Sequence, residues 1–461
     1  MIHRLLFALI LTFGTSVVAS EMRVPQSQAE ISMGFVPVVK DAAPAVVNIY
    51  AKRIVNVRSS PFRNDPFFED MFRNFGSTRQ RVQNSLGSGV ILSQDGIVVS
   101  NYHVVGMATD IRVVLNDRRE YSARVLLSDQ ESDLAILKLD DASDMPALTL
   151  RDSDTLEVGE LALAIGNPFG VGQTVTSGIV SGLARSGTAT GNARGYFIQT
   201  DAPINPGNSG GALVDINGDL IGINTRILSR SGGSNGIGFA IPSALVAQFV
   251  AQARAGKTVF ERPWAGLSGQ PVGADMTEAL GLTSPGGLLV SDIHPQSPFA
   301  EVGIAPGDVI THVDGQPVNA APDMIYRMSV AGIGGETRIT RLRNGEEDQL
   351  TLKLGVAPED PPRDTRETSE DTLIPGLTVS TVNPGVIAER NLPLTAQGVV
   401  VESPGRVGQR AGLRPGDILR EINGEAVRST RDVETLLSQG GRWLTLDVQR
   451  GAKRSTLRFR L

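Results

Sequence analysis

The chain has 461 residues, which at roughly 150 per domain allows about three domains, and 43 Lys and Arg against 49 Asp and Glu leave a net charge of −6. There is no basic surplus to point to nucleic acid as the main partner. The absence of cysteine excludes disulfides, a thiol nucleophile and thiolate metal sites, and four histidines (His3, His103, His294, His312) leave little room for a multi-histidine metal site, so no cofactor is expected.

In chain order, Arg4 followed by the charge-free apolar stretch Leu5 to Val18 and the small residues Ala19 and Ser20 predicts a secretory signal peptide over 1–20. The stretch is shorter than the ~20 residues of a membrane span; an uncleaved anchor is the alternative, and either way the rest is exported. From about 36 to 255, short β-branched runs recur between glycine-containing turns: Ala45 to Tyr50, Gly89 to Leu92, Ile97 to Ser100, Ile111 to Leu115, Leu134 to Leu139, Leu161 to Ile165, Thr174 to Ser181 and Leu220 to Asn224. Runs this short read as strands of a sandwich or a pair of barrels. Pro61 to Gln83 reads as a long loop, and Ser243 to Arg254 as a closing helix.

The remainder holds an internal repeat. Gly303-Ile304-Ala305-Pro306-Gly307-Asp308-Val309-Ile310 returns as Gly412-Leu413-Arg414-Pro415-Gly416-Asp417-Ile418-Leu419, at a constant offset of 109. Each copy continues into a helix-like stretch, Asp323 to Val330 and Asp432 to Gln439, and ends in alternating strands. Two like modules are thus expected at 262–355 and 373–461. Between them 356–372, with three prolines and eight charged residues, reads as a solvated linker.

The sharpest chemical signal is Asn205-Pro206-Gly207-Asn208-Ser209-Gly210-Gly211. A serine on a glycine-flanked turn presents its hydroxyl while backbone N–H groups of Gly207 and Ser209 converge on an oxyanion. Taken alone, the string is also an ordinary glycine-rich hairpin. A serine nucleophile needs a base, and His103 is the only histidine of the β-rich unit. The base needs an orienting carboxylate. Asp133, heading the apolar run Leu134 to Leu139, is the candidate; Asp110, Asp117 and Asp129 are rivals in polar turns. In the chymotrypsin-like serine proteases that this order of His, Asp and Ser resembles, the residue six before the nucleophile lies at the base of the primary pocket; here it is Pro203, so the resemblance implies a pocket without a carboxylate and cleavage after Val, Ala or Ile, with nearby Asp201 as the risk to that argument.

The order His, Asp, Ser on a β-rich unit resembles a chymotrypsin-like serine protease. The strings Gly87-Ser88-Gly89-Val90-Ile91, Ser100-Asn101-Tyr102-His103-Val104-Val105, Ser132-Asp133-Leu134-Ala135, Ala164-Ile165-Gly166-Asn167-Pro168-Phe169-Gly170, Gln199-Thr200-Asp201-Ala202 and Gly238-Phe239-Ala240-Ile241-Pro242 resemble the HtrA (Deg) family of exported serine proteases. The repeated modules resemble PDZ domains, as in the DegP/DegQ branch. The resemblance implies a mostly β fold, a chymotrypsin-like double β-barrel followed by two PDZ (α+β) domains. It implies ATP-independent endoproteolysis of unfolded or damaged periplasmic proteins, with chaperone activity alongside, and trimers or multiples of trimers.

The resemblance also implies residue roles. Gly207, Asn208 and Ser209 would form the oxyanion loop. Thr225, Arg226, Ile227, Leu228 and Ser229 would line the substrate cleft. Trp264, Ala265, Gly266, Leu267 and Ser268 would capture a hydrophobic peptide C-terminus through successive N–H groups, with 373–377 as a weaker counterpart. Arg185, in a mobile loop from Leu183 to Arg194, would relay peptide binding in the first PDZ module to the oxyanion turn. A membrane-tethered stress-sensing protease and a chaperone or scaffold with little proteolysis are the competing readings.

Overall fold

The structure, a computed structural model, describes residues 34–59, 77–167, 172–186, 196–205, 207–227, 234–278, 282, 285–440, 443–451 and 453–460. The signal segment, residues 60–76, the loop residues 187–195, Pro206, Leu228 and Ser229 lie outside the described residues. Among the described residues no helix is long and apolar enough to cross a membrane.

Six strands, β1 (Val46–Ser59), β2 (Ser77–Ile91), β3 (Ile97–Ser100), β4 (Asp110–Val114), β5 (Glu120–Asp129) and β6 (Leu134–Leu139), close into a barrel in the order β1-β2-β3-β6-β5-β4. A second barrel is built from β7 (Leu161–Gly166), β8 (Thr174–Ser186), β9 (Tyr196–Thr200), β10 (Ala212–Val214), β11 (Leu220–Ile227) and β12 (Gly238–Pro242), in the order β10-β11-β12-β9-β8-β7. Closure leaves neither sheet an open edge. One apolar cluster runs through both, from Ile49, Val99 and Ile136 to Ile165, Phe197 and Ile223, and on to Phe249 of the helix Ser243–Arg254. Each such side chain contributes about 1.5–3 kcal/mol on burial, so the barrels and helix stand as one body. The loop expected up to Gln83 is shorter than predicted: residues 77–83 belong to β2 and pair with β1.

Two smaller sheets follow, each with its own core. The first contains Leu267–Pro271, Leu288–Ile293, Val309–Val313, Glu336–Arg343 and Glu346–Lys353, with the helix Ala321–Ala331 against it. The second contains Thr378–Thr381, Val399–Ser403, Ile418–Ile422, Trp443–Arg450 and Lys453–Arg460, with the helix Thr430–Ser438. The repeated string has a physical reason. In the first module the buried Asp308 accepts from Ala305 N at 2.8 Å and Arg343 Nη2 at 2.6 Å, and the same guanidinium donates to the Gly303 carbonyl at 2.7 Å. Asp417, Arg414, Arg450 and Gly412 repeat the clamp.

The expected linker is only partly solvated. Arg366–Glu367 pairs antiparallel with Thr378 and Val379, and the Thr368 hydroxyl donates to the Ile374 carbonyl at 2.6 Å. The polar composition concealed this because a two-residue edge strand is held by backbone bonds, with no apolar side chain to bury. The first module's helix rests on the second barrel: Tyr326 stacks on Tyr196 with ring centroids 3.8 Å apart, and Arg327 bridges the Tyr196 hydroxyl at 2.7 Å and Asp154 at 2.6 Å.

Candidate active site

After β3 the extended residue Asn101 leads into a single helical turn, Tyr102–Val105, that projects His103 between the barrels. Asp133 sits at the head of β6 with φ 55°, a left-handed conformation that Asp tolerates. Asn101 Nδ2 and Tyr102 N both donate to its carbonyl, at 2.9 and 3.1 Å, which ties the two strand ends together. His103 Nδ1 lies 2.8 Å from Asp133 Oδ2 and 3.0 Å from Oδ1, and His103 N donates to Oδ1 at 3.0 Å. Thr225 Oγ1 adds a donor to Oδ2 at 2.6 Å. Burial pushes the Asp133 carboxyl up, but the bonds from His103 and Thr225 outweigh it and hold the group below the usual carboxylate range. The rivals are engaged elsewhere: Asp110 with Lys52, Asp117 with Arg119, and Asp129 with Arg262.

Ser209 lies on the turn before β10. Gly207 at φ 101° and Gly210 at φ 83° give it that shape; a Cβ on Gly210 would lie 2.1 Å from the Ser88 carbonyl oxygen. Ser88 staples the turn to the first barrel: its N donates to the Ser209 carbonyl at 2.9 Å and its hydroxyl to the Gly207 carbonyl at 2.7 Å. The sequence reading missed Ser88, although a buried serine between Gly87 and Gly89 within a strand was the signal available. Asn208 is a correction. Its N–H donates to the Asn205 carbonyl at 2.9 Å, so it is no oxyanion donor, and its side chain is buried beside Gly166. The Ser209 hydroxyl donates to the Thr225 carbonyl at 3.0 Å.

Thr225 therefore touches both partners, which its expected place in the cleft wall did not foresee. The register of β11 against β12 slips between Asn224 and Arg226, and this irregularity carries Thr225 out of the ladder. A cleft of about 690 Å³ is lined by Tyr102, His103, Asp133, Thr225, Arg226 and Ile227. Asp201 is engaged by Ile179 N at 2.7 Å on β8. Arg185, expected in a mobile loop, has its backbone in β8 paired with Phe197.

In the first module, Ala265 and Gly266 lie in a loop before the strand carrying Leu267 and Ser268. Among the described residues that strand pairs on one side only, with Leu288–Ile293. Trp264 is a correction: its N–H donates to the Gly355 carbonyl at 2.8 Å and its indole packs over Gly266, so it supports the loop instead of donating to a peptide. In the second module, the N–H groups of Leu373 and Gly376 donate to the carbonyls of Leu437 and Thr368. Arg366–Glu367 covers the corresponding strand edge, so the weaker counterpart is closed.

Comparison with known proteins agrees with this layout. The trypsin-like peptidase domain model matches residues 87–223, and PDZ domain models match 266–354 and 398–450. The periplasmic pH-dependent serine endoprotease DegQ of Escherichia coli (strain K12) is 35% identical over 460 residues, covering 97% of each chain. The periplasmic serine endoprotease DegP of the same organism is 38% identical over 397 residues, covering 85% of this chain and 80% of its own. The solved HtrA-type protease AlgW with a decapeptide superposes with a TM-score of 0.52 at 42% identity, covering 70% of this chain and 99% of its own.

Proposed function

Because the chain belongs to the HtrA (Deg) family of periplasmic serine endoproteases, we propose that Ser209 is its nucleophile, His103 the general base and Asp133 the orienting carboxylate. The protein is a serine endopeptidase of the periplasm acting on protein substrates. The observation that carries the assignment is the 2.8 Å His103–Asp133 pair on one barrel, facing a Ser209 turn stapled across from the other.

The chemistry follows from that arrangement. For the reaction the Ser209 hydroxyl leaves the Thr225 carbonyl and donates instead to His103 Nε2. His103 accepts the proton as Oγ adds to the scissile carbonyl, and Asp133 stabilises the imidazolium and keeps Nδ1 protonated. The oxyanion is held by the N–H groups of Gly207 and Ser209. His103 then passes its proton to the leaving amine. Water hydrolyses the acyl-enzyme by the same steps in reverse.

Two features support cleavage after Val, Ala or Ile. Pro203 stands six residues before Ser209, and the Asp201 carboxylate is engaged by the β8 backbone, so a Lys or Arg side chain would be desolvated without a partner. The one-sided strand from Leu267, with Ala265 to Ser268, is read as the dock for a hydrophobic peptide C-terminus. We read residues 1–20 as a removable export signal, the units as 36–255, 262–355 and 373–461, and the assembly as multiples of three. The test is casein digestion by wild type and Ser209→Ala, with phosphonate labelling and sedimentation on the same samples. The expected result is loss of cleavage and labelling in Ser209→Ala and a majority of wild-type cuts after small aliphatic residues. Substantial cleavage by Ser209→Ala would overturn the assignment.

A further inference from the structure

Met107 stands at the catalytic cleft in a conformation that its side chain disfavours. Ten non-glycine residues among the described residues have left-handed backbone, and eight are Asp or Asn, the types that tolerate it. The other two are Arg118, in the polar hairpin between β4 and β5, and Met107 at φ 59°. Met107 is the third residue of a turn closed by Ala108 N donating to the Val105 carbonyl at 3.1 Å, with Gly106 at φ −58°, ψ 129°. This is a type II arrangement, whose third position normally takes glycine. Glycine is instead at 106, where a Cβ would lie 2.7 Å from the Tyr102 carbonyl oxygen. Beyond the turn, Thr109 N and Oγ1 both donate to the Lys52 carbonyl, at 2.7 and 3.1 Å, so the strained residue is pinned from both sides.

Packing supplies no reason for a methionine here. Met107 is 74% exposed, and it joins His103, Tyr102, Gln130 and Ile227 around the 690 Å³ cleft. An apolar side chain held in water at strain gains contacts only when something covers it, and the object that enters this cleft is an extended peptide. An unbranched thioether adapts its shape to different apolar partners. We propose that Met107 is a specificity-determining residue: it selects a large apolar side chain, of the Leu, Met or Phe class, on the substrate residue that lies beside His103 next to the cleaved bond. This preference rests on the serine-endopeptidase reading and adds to that of the primary pocket.

The experiment uses the full-length protein and internally quenched peptides varied one position at a time on both sides of the cut. Wild type, Met107→Asn and Met107→Leu are compared, each normalised to active sites titrated with a small phosphonate. Asn suits the left-handed turn, so the substitution removes the apolar wall without disturbing the backbone. At one position wild type favours Leu or Phe over Gln in kcat/KM. Met107→Asn lowers that ratio ~10-fold, the size expected for one lost apolar contact, and Met107→Leu retains it. An unchanged profile in Met107→Asn, whatever its thermal stability, overturns the proposal while leaving the catalytic reading intact. Failure of wild type to react with the phosphonate overturns the catalytic reading and the proposal with it.

Discussion

The two barrels bring unequal halves to the active site. On the first barrel the proposed base is already held in place: Asp133 takes two contacts from the His103 ring, one from its backbone and one from Thr225, and its own carbonyl clamps Asn101 and Tyr102. On the second barrel the Ser209 hydroxyl points to the Thr225 carbonyl, and its turn is held by the Ser88 staple. A strand end buried in a core holds the proposed base and its carboxylate, whereas a glycine-rich turn carries the proposed nucleophile, and we read that turn as the half whose competence is adjustable.

The comparison is broken hardest at Asp133. Asp133→Asn keeps the shape but offers an N–H to the imidazole, favouring the wrong tautomer. A loss of ~10⁴-fold in kcat is expected from peptidase kinetics; a loss below tenfold would mean that the base half is not preset by this carboxylate. Thr225 sharpens the contrast because it serves both halves. Thr225→Val removes the hydroxyl bond to Asp133 and keeps the carbonyl that holds Ser209. A bond to a charged group contributes about 1.5–3 kcal/mol, so kcat should fall roughly 10–100-fold with KM little changed, and Thr225→Ser should restore it. Equal loss in Thr225→Ser would show that packing, not the hydroxyl, is what matters.

The preset half also has a pH signature. The Asp133 carboxyl titrates below its ordinary value in the fold, while unfolded Asp titrates near ~3.9. Its stabilising contribution is therefore complete above about pH 4 and is lost as pH falls through the lower, folded value. Thermal unfolding of wild type should weaken over that acid window, and Asp133→Asn should unfold with a shallower acid slope. Parallel slopes would mean that the His103–Asp133 bonds contribute no net stability.

Much of this was legible in the sequence, for identifiable reasons. His103, Asp133 and Ser209 stand out by residue type, order and loop context, and the strands β3, β6 and β11 by their apolar runs. The duplicated modules show themselves because the Asp308 and Asp417 clamps need the same Gly, Pro and Asp at the same spacing. Thr225 was read as cleft lining because its second role depends on a slip in register, which no local pattern encodes. Asn208 and Trp264 were read as donors because hydrogen-bond partners such as Asn205 and Gly355 are set by the folded backbone. The edge strand Arg366–Glu367 was hidden by polar composition, since its pairing uses main chain alone.

The smallest effect concerns how the adjustable half is reached from outside. The segment entering the first PDZ module is anchored on the first barrel through Arg262 and Asp129, but the module's helix Ala321–Ala331 lies on the second. There Arg327 joins Tyr196, the first residue of β9, to Asp154, ahead of β7. The Arg327 guanidinium is largely buried, and burial pushes the Tyr326 phenol beneath it up. A peptide seated between this helix and the strand from Leu267 would bear on that contact, and the strain would arrive on the barrel that holds Ser209, not on the His103–Asp133 pair. Arg327→Met keeps the apolar stem and removes the two polar links. Basal cleavage of a short peptide should change by less than ~10-fold, while stimulation by a hydrophobic C-terminal peptide should fall by about 5-fold or more, the lower end of ordinary coupling between sites. The partner variant Arg185→Ala tests whether the relay continues along β8. Full stimulation in Arg327→Met would show that the module acts on the active site by another route, and a loss of basal rate as large as that of Asp133→Asn would show that the second barrel is no more adjustable than the first.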